Sequence, residues 1–229
     1  MGEKNVEQRL SMLEQAVLHD ESVVRIRNLM HAYAMYFSSG DCDGILSCFS
    51  GERDDIELFF GRSKISGKDA IRDFYSKRPV LACLPGTFVT HEMTAEAIEV
   101  AEDGKTARAT AYSPGLKGLS PADSQVNLLG RYYMELVHEE DGWKLWHLQW
   151  ALTADADFNY GWLFQNSAYY IEDDYPALSE EPRPDMKLEK ADAFLDLFKP
   201  DEVQRFLPEP PQPYETWDGY GATRNTREY

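Results

Sequence analysis

Hydrophobic positions in the first third of the chain recur every three or four residues. This predicts helices over residues 6–18 and 22–37. In the second helix Ile26, Leu29, Met30, Tyr33, Ala34 and Phe37 form one stripe, which points Tyr33 toward the core. Ser39-Gly40-Asp41 reads as its stop, and Asp43 can open a short helix through Ser50. IELFF at 56–60 reads as a strand. Ser66 to Asp69 has capping-box spacing ahead of a third helix at 70–77, whose stripe is Ile71, Phe74 and Tyr75.

After Pro85-Gly86 the period changes to two. Val89, His91, Met93, Ala95 and Ala97 alternate with polar residues and predict one strand with His91 on its apolar face. Asp103-Gly104 marks a hairpin into a strand at 106–113, after which a long loop containing Gly and Pro is expected. Residues 130–138 and 143–154 form a second hairpin about Asp141-Gly142. Strict alternation on its second strand groups Trp146, Leu148, Trp150 and Leu152 on one face, with Leu145, His147, Gln149 and Ala151 on the other. Helices followed by antiparallel strands define an α+β domain over 1–158.

From Asp155 the composition shifts. Aromatic clusters at Tyr160, Trp162, Phe164, Tyr169 and Tyr170 lead to a predicted helix near 187–206 and then to PEPPQPY. Residues 159–229 therefore read as a C-terminal extension, with Tyr214, Trp217 and Tyr220 as docking side chains on an extended, proline-rich segment.

Composition narrows the function classes. Hydrophobic residues at 43% and charged residues at 28% suit a globular core, and 229 residues accommodate one domain plus an extension. A net charge of -17 opposes contact with nucleic acid and with anionic membranes. The polar N-terminus and the lack of a long apolar run lead us to expect a cytoplasmic protein. Cys42, Cys48 and Cys83 form no C-x-x-C pair and are expected to be free thiols. No His and carboxylate cluster has metal-ligand spacing, and neither a P-loop nor G-x-G-x-x-G occurs, so cofactor-free chemistry is expected.

The helix bearing Tyr33 and ending in FSSGDCDGILSCFS, the turn before DAIRDFY, His91 on the first long strand and GRYYMELVHEEDGWKLW together resemble the SnoaL-like branch of the NTF2-like superfamily, over about residues 20–158. That resemblance implies a cone, a curved sheet wrapped by N-terminal helices around an apolar pocket. Relatives in the branch include bile acid and scytalone dehydratases, ketosteroid isomerase, polyketide cyclases, diarylpropane lyases and the small subunits of ring-hydroxylating dioxygenases. Tyr33 and His91 stand where the dehydratases place a Tyr and a His. The pattern departs at Ser38, where bile acid dehydratase-like sequences carry Asp, and near Gly115 and Leu152, where they carry Asp and Arg. The relatives also imply a homo-oligomer, a trimer before a dimer.

An imidazole in an apolar cup serves as general acid or base near neutral pH, and a phenol can polarise a departing oxygen. His91 and Tyr33 are therefore the expected catalytic pair of a cofactor-independent lyase, a dehydratase or retro-aldol enzyme. Tyr36, Tyr112, Tyr132, Trp146 and Trp150 are expected to contact a small, hydrophobic, hydroxylated aromatic or polycyclic substrate, with Asp41 near the mouth or serving only as a cap. An isomerase or cyclase, and a non-catalytic assembly subunit, are the alternative readings. His31 and His138 are expected to be exposed, and His147 solvated or at an interface.

Overall fold

The computed structural model describes residues 5–60, 63–77, 86–119, 124–157, 189–190, 198, 203 and 209–219. Its first element is one helix where two were expected: α1 runs unbroken over Val6–Ser39. Nothing at 19–21 interrupts it, because His19-Asp20-Glu21 contains neither Gly nor Pro and Glu21 reaches Arg25 one turn on. Asn5 and Gln8 form a reciprocal capping box at its start. Gly40, in the left-handed region at φ 68, ends it.

Only the second half of α1 is packed. Ile26, Met30, Tyr33 and Phe37 are buried in the main core, a burial that stabilises by about 1.5–3 kcal/mol per large side chain. Val6, Leu10, Leu13 and Val17 lie on the opposite side of the helix and are exposed.

α2 (Cys42–Ser47) is capped by Asp41 and precedes β1 (Glu57–Phe60) and β2 (Ser63–Ser66). α3 (Lys68–Ser76) buries Ile71, Phe74 and Tyr75 as its stripe requires. Its N-cap, however, is Gly67 at φ 85, with no side-chain cap, so the capping box expected from Ser66 is absent. Ser66 is the last residue of β2, and Gly67 makes the turn that a β-carbon would disfavour.

The single strand expected over 89–97 is two, β3 (Thr87–His91) and β4 (Thr94–Val100), both paired with β5 (Thr106–Leu119). The register shifts between Thr94 and Ala97, and Ala95 takes φ 51, so Val89, His91 and Met93 are buried while Ala95 is exposed. β5 itself continues where a loop was expected, through Pro114 and Gly115. The Pro114 carbonyl accepts from the Glu92 amide, so its missing N–H faces the break between β3 and β4 and leaves the ladder to the other neighbour intact.

β6 (Ser124–Glu139) and β7 (Gly142–Asp157) extend the second hairpin beyond its expected ends. β8 (Glu189–Lys190) pairs with β2 inside the segment expected to be helical at 187–206; apart from Phe198 and Val203, the rest of that segment lies outside the described residues, as do the aromatic clusters at 160–170. The sheet runs β3-β5-β6-β7-β1-β2-β8, with β1 parallel to β7 and β4 alongside β5. One face is covered by α1 and α3, and this is where the core lies. Cys42 and Cys48 are free thiols, and Cys83 is outside the described residues.

The proline-rich segment docks on the outer face of the same chain. Glu102 and Asp103 amides donate to the Tyr214 and Glu215 carbonyls, and Arg108 binds the Asp218 carboxylate at 2.8 Å. Tyr214 and Trp217 are the docking side chains expected, whereas Tyr220 is outside the described residues.

Among the described residues no helix is long and apolar enough to cross a membrane.

Candidate active site

The row Ala111-Tyr132-Trp150-Phe60 crosses β5, β6, β7 and β1 on the face that α1 covers. Helical spacing brings Tyr33 and Phe37 over this row, and α3 brings Tyr75. Tyr33 and Tyr132 are both 0% exposed, their rings edge-on at 6.0 Å, and His91 is 3% exposed.

The polar atoms in this apolar setting form one connected chain. The Tyr33 and Tyr75 hydroxyls are 2.7 Å apart. The Tyr132 hydroxyl interacts with those of Tyr33 and Ser113 and lies 3.4 Å from His91 Nδ1. Trp150 Nε1 donates to Ser113 Oγ at 3.3 Å. The sequence is thus Tyr75, Tyr33, Tyr132, His91, with Ser113 as a branch. Such a chain satisfies buried hydroxyls that would otherwise cost about 1–3 kcal/mol each.

Burial, reinforced by the neighbouring phenols, pushes the Tyr33 and Tyr132 pKa values well above the ordinary range. Both therefore stay protonated at neutral pH and act as hydrogen-bond donors, not bases. His91 is layered among aromatic rings, with Phe37 and Trp150 each at 4.8 Å and Phe60 at 6.2 Å. An imidazole can donate or accept a proton, and His91 is the one imidazole in this network of hydroxyls.

The other expected site residues separate into two groups. Tyr132 and Trp150 are in the network. Tyr36, half-buried, turns toward α2, where a β-carbon on Gly44 would stand 2.5 Å from its ring. Asp41 is exposed and accepts from the Gly44 amide as the α2 cap. Tyr112 pairs with Arg131 in the outward row, 37% exposed, with the guanidinium 4.4 Å from its ring.

Trp146 is also outside the cup. The pairing shifts between Glu135 and Leu136, so Trp146 is the extra residue of a bulge and joins His147 on the outer face. There it hydrogen-bonds Asp55, lies under Arg53 and packs 4.6 Å from Trp217. His147, expected to be solvated or at an interface, is 6% exposed, held by Glu135 at 2.8 Å. The Arg53 hydrogen bond holds the Asp55 carboxyl down at about 2. His31 and His138 are exposed, as expected; His31 hydrogen-bonds Glu96, and His138 stacks on Trp143.

Tyr75 and Ser113 were missed as site residues. The signal for Tyr75 was a phenol on the buried stripe of a short helix; for Ser113, a hydroxyl on the same strand face as three buried alanines, Ala107, Ala109 and Ala111. Among the described residues no group of three or more His, Cys, Asp or Glu is placed to hold a metal ion.

A curved mixed sheet wrapped by N-terminal helices defines an NTF2-like protein of cystatin-like fold. The SnoaL-like domain matches residues 19–149, more than half of the sequence, and the chain belongs to that family. No curated protein matches it. Among solved structures, a candidate aromatic ring hydroxylase from Novosphingobium aromaticivorans is 27% identical with a TM-score of 0.51, over 60% of this chain and 93% of that one. A candidate scytalone dehydratase from the same organism is 15% identical, TM-score 0.54, over 62% and 91%. A candidate dehydratase of the NTF2-like family from Streptomyces avermitilis is 19% identical, TM-score 0.51, over 59% and 98%.

Proposed function

We propose that the cup is the active site of a cofactor-independent lyase, a dehydratase or retro-aldol enzyme acting on a small hydrophobic, hydroxylated aromatic or polycyclic compound. The observation that carries this reading is the buried chain of hydroxyls ending on His91 Nδ1 among Phe37, Phe60 and Trp150. His91 takes the proton next to the bond that breaks. Tyr132, supported by Tyr33 and Tyr75, donates to the oxygen that gains charge and so stabilises the transition state. The aromatic rings present flat apolar surface to a flat substrate. Similarity to dehydratase-like proteins is in keeping with this chemistry.

The test is incubation of the protein with a panel of hydroxylated aryl, polyketide and steroid compounds, following water or formaldehyde release by NMR. Turnover of at least one compound with loss of either product is expected. Binding without turnover across the panel would favour the non-catalytic assembly reading.

The same chain is proposed to form a homo-oligomer, a trimer before a dimer. Val6, Leu10, Leu13 and Val17 repeat at coiled-coil spacing, 50% or more exposed, and Arg9 and Glu14 flank them with opposite charge, as a parallel pairing of copies requires. Light scattering should give about three times the 26.2 kDa chain mass, falling on Leu10→Glu with Leu13→Glu. A wild-type protein of single-chain mass would overturn the assignment.

A further inference from the structure

On the outer face of the sheet both ring nitrogens of His147 meet acceptors. Nδ1 lies 2.8 Å from Glu135 Oε2, and Nε2 lies 3.2 Å from the Asp55 carbonyl oxygen. A carbonyl oxygen has no proton to give. Glu135 is itself set among donors: the Trp217 indole at 3.2 Å from Oε2, the Tyr133 hydroxyl at 3.2 Å from Oε1, and Arg108 Nε at 3.4 Å. That is the setting of a carboxylate that accepts. A neutral imidazole donates from one nitrogen and would turn the lone pair of the other against an acceptor. The ring that satisfies this geometry carries a proton on both nitrogens.

The surroundings suit a cation there. His147 stacks on Trp146, centroids 4.4 Å apart, and Trp217 lies 6.5 Å away, so aromatic faces flank it. Among the described residues, charged groups reach this site from each neighbouring element. Glu57 on β1 is its cross-strand partner and pairs with Lys64 of β2. Asp55 pairs with Arg53 ahead of β1. Arg108 on β5, beside Glu99 of β4, bridges Glu135 of β6 and Asp218 of the docked segment. Burial raises the phenols of Tyr133 and Tyr214, the latter to about 12, so both stay neutral while a histidine titrates.

We propose that the second proton of His147 latches the proline-rich segment 209–219 onto the sheet, so that docking of this segment is linked to proton binding. Trp217 packs 4.6 Å from Trp146, the ring on which His147 lies, and shares Glu135 Oε2 with His147. Loss of the proton at Nε2 sets that nitrogen's lone pair against the Asp55 carbonyl, and the imidazole must turn out of its place. Both supports of Trp217, the Trp146 ring and the Glu135 carboxylate, are then disturbed. The docked state binds one proton more than the undocked one, so docking weakens as pH rises. One released proton lowers the ratio of docked to free segment by up to about ten-fold per pH unit.

The experiment is NMR on the full chain from about pH 6 to about pH 9, the range that brackets histidine titration. Ring ¹⁵N signals of labelled histidine read the protons on His147, and ¹⁹F signals of 5-fluorotryptophan read Trp217, assigned with Trp217→Phe. At the acid end His147 is expected to carry both protons with Trp217 in its docked position. As pH rises, the Nε2 proton and the docked Trp217 signal should be lost together, with one midpoint. His147→Asn, checked for fold by circular dichroism, keeps a donor toward Glu135 and should show no pH-dependent change at Trp217. The wild-type comparison decides by itself if that variant does not fold. A neutral His147 beside docked Trp217, a Trp217 signal that stays put while His147 titrates, or no change in either by the alkaline end overturns the latch. So does the same Trp217 transition in folded His147→Asn.

Discussion

Glu135→Ala is expected to destabilise the protein by about 3–5 kcal/mol, the usual cost of removing one member of a buried ion pair. Glu135 is 0% exposed on the outer face of the sheet. Its carboxylate accepts from Tyr133 Oη at 3.2 Å, from His147 Nδ1 at 2.8 Å and from Trp217 Nε1 at 3.2 Å. Arg108 Nε stands 3.4 Å from Oε1, an ion-pair contact outside hydrogen-bond geometry. Removing the carboxylate strands these donors, takes from the Arg108 guanidinium, 12% exposed, one of its two carboxylate neighbours, and unties Trp217 from the sheet. Glu135→Gln keeps an acceptor of similar shape and should cost less. Urea unfolding checks the effect; a loss below about 1 kcal/mol would mean that the cluster is not a structural tie.

Much of this architecture was legible because most elements bury one face. The stripe Ile26, Met30, Tyr33, Phe37 and the alternation around Val89 and His91 pointed to the core, and those residues are buried. What periodicity could not register were single-residue irregularities. A bulge opposite Glu135 moves Trp146 out of the cup, because one extra residue reverses the side of the chain on which the next side chain emerges. Ala95 at φ 51 ends an alternation that looked continuous. Pro114 looked like a strand breaker, yet the gap between β3 and β4 removes the need for its amide.

The candidate site was legible in part for a similar reason. Tyr33 and His91 were identifiable as polar groups on apolar faces, but no spacing rule links α1 to β3. Their connection through Tyr132, and the entry of Tyr75 from α3, depend on tertiary packing. Glu135 and His147, which fall on the outward side of their strands, carried no sign that a segment bearing Trp217, 82 residues beyond Glu135, would cover them.

His91→Gln is expected to lower kcat/KM by about 10²- to 10⁴-fold, the usual contribution of a positioned general acid or base. Gln keeps a hydrogen-bonding group toward Tyr132 and similar bulk against Phe37 and Trp150, so the packing of the cup is preserved while proton transfer is lost. Substrate affinity should change little, because the aromatic rings remain. The most direct measurement is the initial rate of water or formaldehyde release, on a compound the wild type turns over, for wild type and His91→Gln matched in fold by circular dichroism. A rate at least a hundred-fold slower in the variant is the expected result; equal rates would contradict a role for His91 in the chemistry.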